Sequence, residues 1–202
     1  ARLQGWGGEA VLSGYEAERQ PITEQVSQFA MNHSIALQAK REAIPADIES
    51  VGPAGDAVRE HFGKELYDLN VQQYCCAGLN FGYFYADSPL IAYDNEPAPS
   101  YGMATFTPST VPGCRTPHVW LDGQRSLYDA MGDGFTLLRT DTHKDVTALT
   151  EAAAERGMPL QVLDLPVKHG QSVYTHALIL SRPDRHVAWR GDELPADCFQ
   201  LV

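Results

Sequence analysis

The stretch Pro112-Gly113-Cys114-Arg115-Thr116-Pro117-His118-Val119-Trp120-Leu121 constrains the course of this chain more than any other. Pro117 locks its own φ and pushes Thr116 into extended geometry, so the segment is a rigid connector and cannot be a helix. An apolar strand signal follows at Val119–Leu121, then the glycine-punctuated turn region 122–134, then a strand at 135–140. Such a corner belongs where a chain leaves one body and begins another. It divides the sequence into a helical and loop extension, 1–100, and a second domain, 101–202.

Downstream of the corner the pattern reads β, α, β and then a hairpin. Thr142 with Asp145 fits a capping box and predicts a helix over Lys144–Arg156, with Val146, Leu149 and Ala153 facing inward. Gly157 and Pro159 supply its stop. A strand over Leu160–Leu165, a loop over 166–170 and a strand over Tyr174–Leu180 come next. The last of these is apolar on both faces, the mark of a buried strand. The turn Arg182-Pro183-Asp184-Arg185 leads into a strand at His186–Trp189. A right-handed crossover makes the first pair parallel, and the hairpin adds an antiparallel edge. The expected class is α/β, a thioredoxin-like mixed sheet preceded by the extension.

In the extension, Ser13 and Glu16 fit a capping box, and Ile22, Val26 and Phe29 share one helical face, with Pro21 kinking or restarting the helix. Asn32–Ala43 continues it more weakly. A second helix is expected over Ala54–Leu69, its stripe Val58, Phe62, Leu66 and Leu69 facing a core. The alternating aromatic run Gly78–Tyr85 reads as a strand. The segment 94–112, with prolines at 97, 99, 108 and 112, reads as an ordered linker.

Formal net charge is −11, from 15 basic and 26 acidic residues. Nucleic acid and anionic membranes both select clustered Lys and Arg, so neither is an expected partner. No apolar run approaches the ~20 residues of a membrane span. Residues 1–5 lack the apolar core of a signal peptide and read like the middle of a longer protein. Cysteines stand at 75, 76, 114 and 198, with no CxxC pair. Reduced, buried thiols in a cytoplasmic protein are the expectation.

The positions where chemistry could sit read as structural. A thioredoxin-type active site needs two cysteines at a helix start. Here the corresponding helix opens with Asp141-Thr142-His143-Lys144, which excludes redox activity of that kind. Histidines at 33, 61, 118, 143, 169, 176 and 186 show no HExxH-like spacing, and His176 reads as a hydrogen-bonded core histidine. Ser88, Ser126 and Ser172 carry no GxSxG. Arg115 and His118 could face a cleft or another domain. The favoured reading has Arg115 paired with Asp122 or Asp129, locking the corner. Glu16 and Arg19, at i and i+3, support their helix. Trp189 reads as a core or seam anchor. No catalytic, cofactor-binding or metal residue is assigned.

Three stretches together carry a resemblance: PGCRTPHVWLDGQRSLYDAMGDGFTLLR (112–139), Tyr15-Glu16-Ala17-Glu18-Arg19-Gln20-Pro21 and Arg182-Pro183-Asp184-Arg185-His186-Val187-Ala188-Trp189-Arg190-Gly191. In this order they resemble the C-terminal region of FAD-dependent aromatic hydroxylases, the phenol hydroxylase-like group A flavoprotein monooxygenases. The resemblance implies that the first helix leaves a flavin domain and packs along it, and that residues 1–6 continue that domain's last helix. For the parent enzyme it implies FAD reduced by NAD(P)H, O₂ activation and hydroxylation of an aromatic ring. The GxGxxG strand–turn–helix that binds FAD does not occur in these 202 residues. No cofactor is therefore expected here. The implied partners are the N-terminal flavin and substrate domains, with self-association through uncovered helix faces. A free-standing thioredoxin-like interaction module without redox activity is the alternative.

Overall fold

The computed structural model describes residues 1–167 and 173–202. Two long helices come first, α1 (Ala10–Glu42) and α2 (Pro53–Tyr74). A small hairpin follows, β1 (Trp120–Leu121) with β2 (Arg125–Ser126), and leads directly into α3 (Leu127–Ala130). The second half is β3 (Phe135–Arg139), α4 (Thr147–Arg156), β4 (Leu160–Asp164), β5 (Leu178–Ser181) and β6 (Val187–Gly191).

These strands form one mixed sheet in the order β4-β3-β5-β6. β3 pairs parallel with β4 across the α4 crossover, and antiparallel with β5, while β5 and β6 form the antiparallel hairpin. The expected βαβ-plus-hairpin order is therefore present. Period-2 alternation splits the strands between two cores. Leu138, Ile179 and Val187 face Leu121, Leu127 and Met131 on one side. Leu137, Leu178, Leu180 and Ala188 face Val146, Leu149 and Ala152 of the α4 region on the other. Sheet faces covered on both sides need apolar residues at successive positions, as β5 has. Gly157 forms the left-handed cap that ends α4.

Several boundaries differ from expectation. α1 starts at Ala10, with Glu9 at the N-cap, so Ser13 lies inside the helix and bonds the Ala10 carbonyl. The helix continues through Pro21 without restarting. α4 starts three residues late, because the Asp145 carboxylate accepts from both the amide and the hydroxyl of Thr147, in place of a Thr142 box. β5 begins at Leu178, which leaves His176 ahead of the strand and only half-buried. The corner strand shortens to Trp120–Leu121 and joins the hairpin, outside the main sheet. Loop 166–170 is described only as far as Val167, and His169 and Ser172 lie outside the described residues.

The largest correction falls on Gly78–Tyr85. Residues Gly78–Gly82 form a π-helical turn, and no strand is present there. A Cβ on Gly78 would stand 1.7 Å from the Gly102 carbonyl oxygen, so the backbone there is pressed against the proline-rich loop. Leu79 N–H donates to the Met103 carbonyl, 3.1 Å. The aromatic residues that follow serve as a packing platform.

α1 and α2 meet through a Lys40–Glu65 ion pair of 3.0 Å and bury little apolar surface. Only Gly14, Glu18 and His33 of α1 are buried, and only Gly55 and Phe62 of α2. Phe62 heads the expected α2 stripe, with Val58, Leu66 and Leu69 half-buried.

Candidate functional site

The three stretches that carry the resemblance converge at one end of the sheet. The turn between β5 and β6 closes with an Arg185 N–H to Arg182 carbonyl bond of 2.9 Å, with Arg185 at φ 66. From this turn Arg182 reaches Glu18 of α1 with both terminal nitrogens, Nη2 to Oε2 at 2.8 Å. Glu18 is 3% exposed, and Ser88 donates its hydroxyl to Glu18 Oε1 at 2.5 Å. Asp184 accepts from Arg182 at 3.1 Å, Arg19 at 3.3 Å and the Tyr85 hydroxyl at 3.3 Å. The guanidinium groups of Arg19 and Arg182 both stand over the Tyr85 ring, at 5.4 and 5.3 Å. The His186 ring stacks on Tyr85 at 4.3 Å and on Tyr83 at 5.3 Å.

Burial alone would raise the Asp184 carboxyl, but hydrogen bonding from His186 and the Arg182 charge hold it well below the usual carboxylate range. Burial likewise opposes the Arg182 charge, and the Glu18 hydrogen bond more than restores it. Burial first, then the Asp184 charge, pushes the Tyr85 phenol up.

A second clasp leaves the other end of the same motif. Arg190 of β6 is 7% exposed. Its Nε donates to Asp94 at 2.7 Å, its Nη2 to Glu96 and its Nη1 to the Thr110 hydroxyl at 3.1 Å. The loop 94–110 is thus tied down at both ends. Between the clasps the corner supplies main-chain links: Gly113 N–H to the Val187 carbonyl at 2.8 Å, and Thr116 N–H to the Arg185 carbonyl at 2.7 Å.

Arg115 does not form the expected pair with Asp122 or Asp129. Among the described residues no carboxylate lies within ion-pair distance of it; its guanidinium stands over Tyr128 at 5.4 Å and Phe81 at 5.8 Å. His118 is exposed, and its Nε2 shares a 2.9 Å hydrogen bond with Ser126 Oγ. Arg19 passes over Glu16 and bonds Asp184. Trp189 packs beside the α4 core, as an anchor should. Thr140 donates to the His176 carbonyl at 2.8 Å.

All four cysteines are free, and Cys75 is exposed, which corrects the expectation of four buried thiols. It follows a helix end, where no second layer covers it. Burial pushes the Cys114 thiol up to about 11, so it is a poor nucleophile at neutral pH. Among the described residues no group of three His, Cys, Asp or Glu could hold a metal ion. Ser88 donates its hydroxyl to Glu18, whose carboxylate is itself held by Arg182, and accepts from the Leu90 amide. The arrangement fastens two parts of a chain together.

Residues 109–200 match the family model described as "Aromatic-ring hydroxylase, C-terminal". This part of the chain belongs to that family. The FAD-dependent monooxygenase apdD of Emericella nidulans is 33% identical over 96% of the chain, which covers 33% of apdD. Aklavinone 12-hydroxylase RdmE of Streptomyces purpurascens is 32% identical over 100% of the chain and 35% of its own length. A structure of the rebeccamycin biosynthetic enzyme RebC with reduced flavin superposes with a TM-score of 0.85 and 33% identity, over 100% of this chain and 37% of RebC. The hydroxylase C-terminal region and its helical extension therefore recur together in RebC, with the same α/β arrangement. The chain spans about a third of the length of these relatives.

The clasps were not legible beforehand. Glu18 and Arg182 both lie in stretches singled out by resemblance, but their pairing spans 164 positions.

Proposed function

We propose that this chain is a non-catalytic C-terminal portion of a flavin-dependent monooxygenase that hydroxylates a phenolic or related aromatic ring. FAD and NAD(P)H would be used by N-terminal domains, against which residues 1–100 pack. Residues 101–202 would form the attached lobe, thioredoxin-like in strand order and without redox chemistry. Its free cysteines suit a reducing compartment such as the cytoplasm.

One observation carries the reading. Leu12, Tyr15 and Val26 recur at helical spacing on α1 and are 60%, 69% and 41% exposed, while the neighbouring face of α1 buries Gly14 against Leu90 and Glu18 against Ser88 and Arg182. Such a helix is covered on one side and waits for a second body on the next. A self-sufficient module would bury these side chains.

The test is flavin binding. The purified 202-residue chain should be colourless and give no heat on titration with FAD, whereas the full-length enzyme should retain yellow flavin. Stoichiometric FAD binding, or aromatic hydroxylation by the 202 residues alone, would sink the reading.

A further inference from the structure

The corner carries a continuous ladder of side chains that neither clasp uses. Phe106 and Phe81 have ring centroids 6.2 Å apart. Phe81 is followed by the Arg115 guanidinium at 5.8 Å, and Arg115 by Tyr128 at 5.4 Å. Tyr128 meets His118 edge-on at 5.2 Å, and His118 meets Trp120 edge-on at 5.0 Å. The ladder runs over the surface: Phe81 is 48% exposed and Trp120 64%.

Its parts are held in place from behind. The Tyr128 hydroxyl donates to the Thr116 carbonyl at 2.6 Å, Ser126 Oγ fixes His118, and Arg115 bridges His186 through its backbone. A surface ordered before binding loses little entropy on binding. Trp, Tyr and Arg are also the side chains that dominate binding hot spots.

Arg115 shows what the ladder fits. The chain has 26 acidic residues, yet among the described residues none pairs with this half-buried guanidinium, and its donors bond to none of them. Arg182 and Arg190, in contrast, each hold two carboxylates. A guanidinium fork rimmed by aromatic rings and paired with no carboxylate among the described residues is suited to a carboxylate flanked by apolar side chains. Net charge of −11 argues against nucleic acid on the same stack. In relatives, about two thirds of the polypeptide lies outside the matched region and could supply the acid.

We propose that the Phe81–Arg115–Tyr128–His118–Trp120 ladder is a second docking face, which binds a carboxylate-bearing surface of the N-terminal flavin and substrate domains of the same enzyme. The inference rests on the packing role proposed above and adds a place and a chemistry to it.

Hydroxyl-radical footprinting of the full-length wild-type enzyme tests it, each residue being compared with itself in urea. Trp120 and Phe81 should oxidise about tenfold more slowly in the native enzyme than in urea. In Arg115→Gln the protection of Trp120 should fall severalfold, and Arg115→Lys should restore part of it. Protected Leu12 and Tyr15 beside a freely oxidised Trp120 would overturn the ladder and leave the packing role standing. Free oxidation at all of these positions would overturn both. Protection lost on dilution would assign the face to a second copy and overturn the proposal. Full protection in Arg115→Gln would overturn the carboxylate pairing.

Discussion

Glu18 and Arg182, 164 positions apart, meet as a two-pronged ion pair where α1 crosses the β5–β6 turn. Both side chains are nearly out of water, at 3% and 12% exposure. Removing one partner of such a pair strands the other charge, which typically costs about 3–5 kcal/mol, whereas replacing both with apolar groups can be close to neutral. Asp184 still offsets part of the Arg182 charge, so Glu18→Ala should destabilise the protein in urea unfolding by up to about that amount. The double variant Glu18→Leu with Arg182→Leu should be less destabilised than Glu18→Ala. A loss within about 0.5 kcal/mol for the single variant would place the seam's stability elsewhere.

Arg190 makes a comparable set of contacts but should matter less. Its two carboxylate partners, Asp94 and Glu96, are 32% and 59% exposed, so water can hydrate them once the arginine is gone. Asp94 shows the balance: burial would raise its carboxyl, yet the Arg190 hydrogen bond holds it below the usual range. Arg190→Met keeps the apolar stem and deletes the fork. It should cost about 1–3 kcal/mol, and it should expose the loop 94–110 to proteolysis before the sheet melts. If that loop were cleaved no faster than in the wild type, Arg190 would not be what holds it.

The second half of the fold was legible because its signals are local and agree. Phe135–Arg139 and Leu178–Ser181 are short apolar runs, Gly157 stops the helix between β3 and β4, and the corner prolines exclude helix. Gly78–Tyr85 misled because alternation shows only that a segment could be a strand, and here no neighbouring strand offers a ladder. The contacts of Gly78 with the loop at 102–105 decide its shape, and those are tertiary. The capping box at Thr142 failed because Asp145 takes the amide at the helix start, and the one at Ser13 failed because α1 begins a turn earlier, at Ala10, with no side-chain cap from Glu9. The clasps lay outside sequence reasoning altogether. Charges at 18, 19, 182, 184 and 190 look like solvated surface until the fold brings them together.

Acid should loosen the α1 seam first. In the folded protein, Asp184 ionises well below the range it has when unfolded. The unfolded chain therefore takes up protons that the folded chain refuses, and stability falls as pH drops from about 5. The contribution is fully present above the ordinary carboxylate pKa and is lost as pH approaches the depressed folded value. Asp184→Asn should be less stable at neutral pH and show a shallower decline between about pH 5 and pH 3. Urea midpoints measured across that range check it. Parallel declines in the two proteins would remove Asp184 as the source.

Gly113 links both halves through its main chain: its carbonyl accepts from Tyr85 N–H at 3.0 Å, and its amide donates to Val187 at 2.8 Å. It sits at φ 94, where a side chain is strained, and a Cβ there would stand 2.3 Å from the Tyr85 carbonyl oxygen. Gly123 offers a control, because it also has positive φ, at 75, but a Cβ on it would meet nothing within 4 Å. Gly123→Ala should cost only the backbone strain, about 1–2 kcal/mol. Gly113→Ala adds a clash with a carbonyl that cannot move without breaking the Tyr85 platform on which Arg19, Arg182 and His186 rest. It should be the more destabilising of the two by at least about 1 kcal/mol, with the excess appearing as earlier loss of α1 protection in hydrogen exchange. Equal losses for the two variants would mean that the corner yields, and that the junction is not as rigid as its hydrogen bonds require.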